Sequence, residues 1–236
     1  MLKITTGIIT RPLKAVIYGV EGVGKSTLAS RMPNPLFIDV EGGTSQLNVR
    51  RVQRPSSWNE LLGTVTEIAG AEEICKTLVI DTADWAEELC MEHILAKYNQ
   101  SSIEAFNYGK GYQILAEEFG KLITAMNACI SAGIHVVVLA HAKQRKIELP
   151  DQTGSFDHYE LKLTRQVAPI LKEWADMLLF CNYETILITT ENKTRKATGG
   201  RRVMYATHSP VFDAKNRHGL ADVLPLDYTA IAPIFH

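Results

Sequence analysis

The run Gly19-Val-Glu-Gly-Val-Gly-Lys-Ser26 sets three glycines, a lysine and a hydroxyl at the spacing GxxxxGK[ST]. Glycines so placed let a backbone curl into a nest of N–H donors around phosphate oxygens. Gly19, Val20, Glu21, Gly22, Val23 and Gly24 form that loop. Lys25 adds a mobile charge for the β- and γ-phosphates, Ser26 offers a hydroxyl to Mg2+, and Thr27 is placed to reach the α-phosphate. These residue types serve the binding of the phosphates of a magnesium nucleotide.

A cation at Ser26 needs a second support, usually an Asp at the end of a neighbouring buried strand. Leu78-Val-Ile-Asp81 fits that description. Asp39, in Phe37-Ile-Asp39, is the rival; Asp81 is preferred because its strand comes later and leads directly into Thr82, Ala83 and Asp84. Phosphoryl transfer to water also needs a residue that activates the water. Glu41 stands just past the strand that contains Asp39, with Gly42 and Gly43 beside it to turn the chain away.

These residues have to be positioned by strands and helices in alternation. Lys14-Ala-Val-Ile-Tyr-Gly19, Pro35-Leu-Phe-Ile-Asp-Val40, Thr77-Leu-Val-Ile-Asp81 and Ile134-His-Val-Val-Val-Leu-Ala140 are apolar nearly throughout and rich in β-branched residues. Such runs predict strands covered on both faces, as in a parallel sheet. Helical spacing joins Trp58, Leu61, Leu62, Val65, Ile68 and Ala69, and again Tyr112, Leu115, Phe119, Leu122, Met126 and Ile130. The pattern predicts an α/β fold with a mostly parallel, doubly wound sheet, whose ligands sit beyond the carboxyl ends of the strands. In the last third, residues 177–181, 185–190 and 202–207 read as three strands with no helix between them, an antiparallel C-terminal extension. Residues 191–201 then form a basic hairpin tip, and 142–159 is the longest stretch without periodicity.

The order of features resembles the RecA-like P-loop ATPases, in which the P-loop is followed by a strand with an acidic water-activating residue, a magnesium strand, and a strand whose polar tip senses the γ-phosphate. Glu41, Asp81 and His141 stand in that order here. A closer resemblance is to bacteriophage members of that superfamily, some of them single-strand annealing recombination proteins. It is carried by residues 18–27, 37–43 and 79–83, Ala140-His-Ala142 and Trp174-Ala-Asp176. Two departures stand out: no separate DNA-binding domain, and a His where recombinases commonly have Gln or Asn. Ala214-Lys-Asn-Arg-His-Gly219 also resembles a segment by which such proteins reach a neighbour's γ-phosphate. The resemblance therefore implies a single RecA-like ATPase domain over 1–236, catalytic roles for Lys25, Glu41, His141, Lys215 and Arg217, and self-association into a ring or filament. It further implies single-stranded DNA as a partner, contacted by residues 98–110 and 142–165, and a bacterial host's cytoplasm as the location. Lys143, Arg145, Lys146, Lys162 and Arg165 in the second segment are set against Glu148, Asp151, Asp157 and Glu160, a balance of +1 over 143–165, with Phe156 and Tyr159 as candidates to stack on bases. Lys193, Arg195, Lys196, Arg201 and Arg202 add to it from the hairpin tip.

Composition narrows the classes further. With 236 residues, 46% hydrophobic, the chain suits one domain. Twenty-five Lys+Arg against 26 Asp+Glu leave a net charge of −1, so any polyanion contact is local. Cys75, Cys90, Cys129 and Cys181 lie far apart, without zinc or disulfide spacing, which fits a reducing compartment. No apolar run reaches the length of a membrane span. A small-molecule P-loop kinase remains an alternative, as does a nucleotide-locked DNA scaffold that does not hydrolyse.

Overall fold

The computed structural model describes residues 2–148, 155–189 and 195–235. Its parallel core consists of β1 (Lys14–Gly19), β2 (Pro35–Asp39), β3 (Arg50–Arg51), β4 (Thr77–Asp81), β5 (His135–Glu148) and the first part of β7 (Met177–Thr189). Helices α1 (Lys25–Ala29), α2 (Trp58–Gly70), α3 (Ala83–Tyr98), α4 (Lys110–Ser131) and α5 (Val167–Trp174) connect them. Adding β6 (Ser155–Leu161), β8 (Arg195–Tyr205), β9 (Lys215–Asn216) and β10 (Val223–Pro225), the sheet runs β10-β8-β7-β1-β5-β4-β2-β3, with β6 on β5 and β9 on β7.

Alternation along each strand divides the core in two. Val16, Tyr18, Ile38, Leu78, Ile80, Val136 and Val138 face α2–α5, where Trp58, Leu61, Leu115, Phe119 and Leu171 close over them. Ala15, Ile17, Phe37, Val79, Val137 and Leu139 face α1 and the C-terminal segment, which contributes Ile231. Both sets are buried, which is why these strands read as continuous apolar runs.

The parallel, doubly wound prediction holds, with three differences. Residues 177–181 and 185–190 belong, as far as residue 189, to one strand, with a register shift between Tyr183 and Thr185. Its start runs parallel to β1, Gly19 beside Cys181, while β8 and β9 pair with β7, and β10 with β8, antiparallel. The aperiodic stretch 142–159 is, where described, the outward continuation of β5 paired antiparallel with β6, from Ala142 opposite Leu161 to Glu148 opposite Ser155. Exposed Gln144, Arg145 and Lys146 show why alternation was absent: much of this hairpin buries neither face. Helix α3 lacked a legible stripe because its buried face mixes small and acidic residues, Asp84, Ala86, Glu87, Cys90 and Ile94. Lys193 lies outside the described residues, as do the side chains of Arg195 and Lys196.

The β1–β7 contact explains one glycine of the loop. A Cβ at Gly19 would stand within 2.1 Å of the Cys181 carbonyl oxygen, in backbone that cannot move aside. Gly19→Ala is expected to lower stability by about 1–3 kcal/mol or more, read as a lower urea midpoint; an unchanged midpoint would contradict the packing described.

Candidate nucleotide site

The carboxyl ends of β1, β5, β4 and β2 meet along one edge. Strand β5 lies between β1 and β4, with Gly19 beside His141 and Asp81 beside Leu139; Asp39 pairs with Asp81 across β2 and β4. The P-loop, Asp81, Glu41 and His141 therefore line one cavity of about 310 Å3, together with Gly43, Gln46 and Thr82.

Within the loop Gly22 and Gly24 take φ values of +72° and +108°, a region that side chains strain to enter. Gly24 is the residue before α1, and its carbonyl accepts from Leu28 N at 2.9 Å, so loop and helix form one turn. Val20 and exposed Glu21 complete the loop's first half, while Val23 anchors it in the core. Lys25 is buried, and its Nζ donates to the Gly19 and Val20 carbonyls at 3.2 and 3.1 Å. Burial pulls its ammonium below the usual lysine range. A phosphate at this position would offer that charge a stronger acceptor than two carbonyls.

Ser26 Oγ donates to Asp81 Oδ2 at 2.7 Å, bringing together the two residues expected to hold Mg2+. Burial, with Asp39 and Glu41 nearby, raises the Asp81 carboxyl to about 6 against the Ser26 bond and Lys25. A carboxylate so disfavoured gains from a cation. Thr82 Oγ1, buried on the wall of the same cavity, has no hydrogen-bond partner among the described residues. A buried hydroxyl without a partner is costly in a dry interior, so this wall suits a polar ligand. These residues fit ATP with Mg2+ held by Ser26 and Asp81.

Asp39 has a different task. Its Oδ1 accepts from Gly42 N at 2.7 Å and Gly43 N at 3.1 Å, and its Oδ2 from Thr44 N at 2.9 Å and Thr44 Oγ1 at 2.6 Å. Burial alone would raise this carboxyl, but those bonds outweigh it and hold it below the usual range. Asp39 thus ties the turn that presents Glu41. The backbone N–H groups of Val40 and Glu41 both donate to the Asp81 carbonyl, at 2.7 and 3.1 Å, and Arg54 Nε braces the turn through the Val40 carbonyl at 2.9 Å.

His141 links Glu41 to α3. Its Nε2 is 3.8 Å from Glu41 Oε2, while Asp84 takes its backbone N–H at 3.0 Å and its Nδ1–H at 2.7 Å. The Asp84 bond raises the imidazole above its ordinary value of 6.5 against the opposing effect of burial. Burial would raise the Asp84 carboxyl in turn, but the bonds to His141 hold it low. Sequence reading passed over Asp84 as a partner for His141, and Arg54 altogether. An acidic residue in the first turn after the magnesium strand was the available signal for Asp84; Arg54 had none.

Lys215 and Arg217 are not brought to this cavity. Lys215 Nζ donates to the Lys172, Glu173 and Ala175 carbonyls at the end of α5, and Arg217 pairs with Asp176 at 2.9 Å. Both lie near the start of β7, the end remote from the P-loop.

A family model described as an AAA domain matches residues 11–218. The chain belongs to that AAA domain family. It is a nucleotide-binding P-loop ATPase of α/β fold, and the matched span contains each site residue named above. An SPbeta prophage-derived uncharacterized protein, YorG, of Bacillus subtilis strain 168 is 24% identical over 134 residues. That alignment covers 55% of this chain and 41% of YorG, so the chain spans well under half of that relative's length. Among solved structures, a KaiC-like protein of Pyrococcus horikoshii OT3 aligns at 13% identity with a TM-score of 0.43, over 83% of this chain and 79% of that one.

The His141–Asp84 pair of this AAA-domain chain gives a pH signature. A raised imidazole contributes stability that is fully present below about 6.5 and is lost as pH rises through the folded-state value. The loss in unfolding midpoint caused by His141→Asn is expected to be larger at pH 6 than at pH 9. A loss that grows toward pH 9 would contradict the pairing.

Proposed function

We propose that the chain is an Mg2+-dependent ATPase that transfers the γ-phosphoryl group of ATP to water and acts on single-stranded DNA in recombination or annealing. The observation that carries the hydrolytic part is the position of Glu41. It lines the P-loop cavity, its side chain is 32% exposed to solvent, and it is backed by the His141–Asp84 pair. A carboxylate there can accept the proton of a water that attacks the γ-phosphorus, while ADP departs against the P-loop amides and Lys25. Bound at Ser26 and Asp81, Mg2+ supplies charge neutralisation for the phosphates. His141 stands beside Glu41 on one side and is bonded to Asp84 of α3 on the other, so it is suited to sense whether the γ-phosphate is present.

The DNA-directed part rests on the hairpin that continues β5 directly beyond His141. Arg145, Lys146, Lys162 and Arg165 are exposed on or beside it. Two other residues of this segment are otherwise engaged. Lys143 donates to the Leu163 carbonyl at 2.6 Å, and Tyr159 packs on Phe180 with centroids 5.0 Å apart while its hydroxyl accepts from Gln144. Tyr159 is thus half-buried against the core, and of the two aromatic candidates Phe156 is the one whose ring is not packed on another among the described residues. Charge presented this way favours salt-sensitive, sequence-tolerant binding. Lys215 and Arg217, remote from their own P-loop, could serve only a neighbour's nucleotide, in a ring or filament.

Steady-state ATP hydrolysis should rise with single-stranded DNA at low salt, and the rise should fade at moderate salt. Turnover indifferent to DNA would remove the recombination reading and point to screening phosphoryl acceptors. Glu41→Gln should retain ATP binding while hydrolysis falls about a hundredfold or more; undiminished turnover would exclude Glu41 as the base. Mixing Arg217→Ala with Lys25→Ala subunits should restore part of the activity, and no rescue at any ratio would count against a shared site.

A further inference from the structure

The P-loop cavity has a continuation. A second cleft, of about 150 Å3, shares Gly24 and Thr27 with it and runs between α1 and the C-terminal segment. The two cavities differ in what lines them away from that junction. Glu41, Asp81 and His141 line the first, where water would meet the γ-phosphorus. Leu28, Leu226 and Tyr228, with Arg31, Asp227 and Arg202 around them, line the second. A nucleotide laid along the P-loop with its γ-phosphate toward Glu41 must leave at Thr27, and what leaves there is its nucleoside.

We propose that this second cleft seats the base and ribose of the nucleotide, with Tyr228 as the stacking residue. The inference rests on the ATPase reading above and adds residues that it does not use. The lining is mostly polar: the Tyr228 ring and the Leu226 side chain give a flat ring its apolar surface, and Arg31, Arg202 and Asp227 stand around them to meet the polar edges of a base and ribose. Leu28 is buried, while Leu226 and Tyr228 are half-buried.

The wall is a built one. Leu226 N donates to the Arg202 carbonyl at 3.1 Å, which fastens the segment to β8, and Arg202 Nη1 reaches the Val23 carbonyl in the P-loop at 3.3 Å. Asp227 accepts from Thr229 N at 2.9 Å and Thr229 Oγ1 at 2.7 Å, and its other oxygen pairs with Arg31 of the α1 side at 2.8 Å. The tyrosine ring meets the edge of Phe235 with centroids 5.7 Å apart. Tyr228 is therefore held in place between two anchors, beside a loop about two hundred residues earlier in the chain. Its position fits a fixed platform for a base, whose stacking on an aromatic ring is sequence-tolerant and sizeable.

The test is calorimetric titration of the full chain, in Mg2+, with ATP and with inorganic tripolyphosphate, which fills a phosphate site but has no nucleoside. Wild type should bind ATP more tightly than tripolyphosphate. Tyr228→Ala should weaken ATP about tenfold and leave tripolyphosphate unchanged. Tyr228→Leu, which keeps apolar volume against Phe235, should show the same selective loss if the alanine variant folds poorly. Equal wild-type affinity for the two ligands, or a folded Tyr228 variant that keeps wild-type ATP affinity, would overturn the nucleoside seat and leave the P-loop reading standing. Failure of wild type to bind either ligand would instead sink the ATPase reading, and the inference with it.

Discussion

A divalent cation and a triphosphate can be gripped together only if a glycine loop, a hydroxyl and a carboxylate from separate strands meet at one edge. In this chain the meeting depends on β5 being packed in parallel between β1 and β4. Parallel hydrogen bonding brings Gly19 level with His141 and Leu139 level with Asp81, so three strand tips arrive together. Moving β5 elsewhere would leave the P-loop and Asp81 in place on their strands but would take His141 out of the cavity. The apolar faces of Val136, Val137, Val138 and Leu139, buried on both sides, hold the strand in that central position.

Four carboxylates crowd the same edge, and their different surroundings assign different work to each. Asp39 is satisfied by three backbone amides and a hydroxyl, so it builds a turn. Asp84 is satisfied by His141 and fixes the orientation of the imidazole. Asp81 is buried with one hydroxyl donor and is raised to about 6, the condition in which a cation is most welcome. Glu41 keeps access to solvent beside His141, which suits a group that must meet water. Environment, more than residue type, separates structure from chemistry here.

Helix α3 joins this edge to the hairpin. Asp84 in its first turn holds His141, and one turn later Glu87 accepts from Thr164 N at 3.1 Å and Thr164 Oγ1 at 2.6 Å, just past β6. Hydrogen bonds made by α3 thus run from His141 at the cavity to Thr164 at the foot of the outward hairpin. The opposite flank of the P-loop is closed by chain from the far C-terminus, where the Leu226–Tyr228 wall is tied to β8.

How much of this was legible in the residues alone follows from the range of the interactions. The phosphate loop, the strands over 14–19 and 77–81 and the helices beginning near 58 and 110 are set by local backbone preference and by periodic burial, both of which are written in consecutive residues. Glu41 and Asp81 were within reach because ligands in such sheets gather at strand ends, and His141 through the resemblance to RecA-like ATPases. The task of Asp39, the partner of His141, the packing of Tyr159 and the wall beside Thr27 were not. Each depends on which strand lies next to which, and in what register, and that order is decided by the packing of the two sheet faces as a whole. Local sequence therefore determined the chemical groups and the edge they occupy, while tertiary structure decided which of them touch.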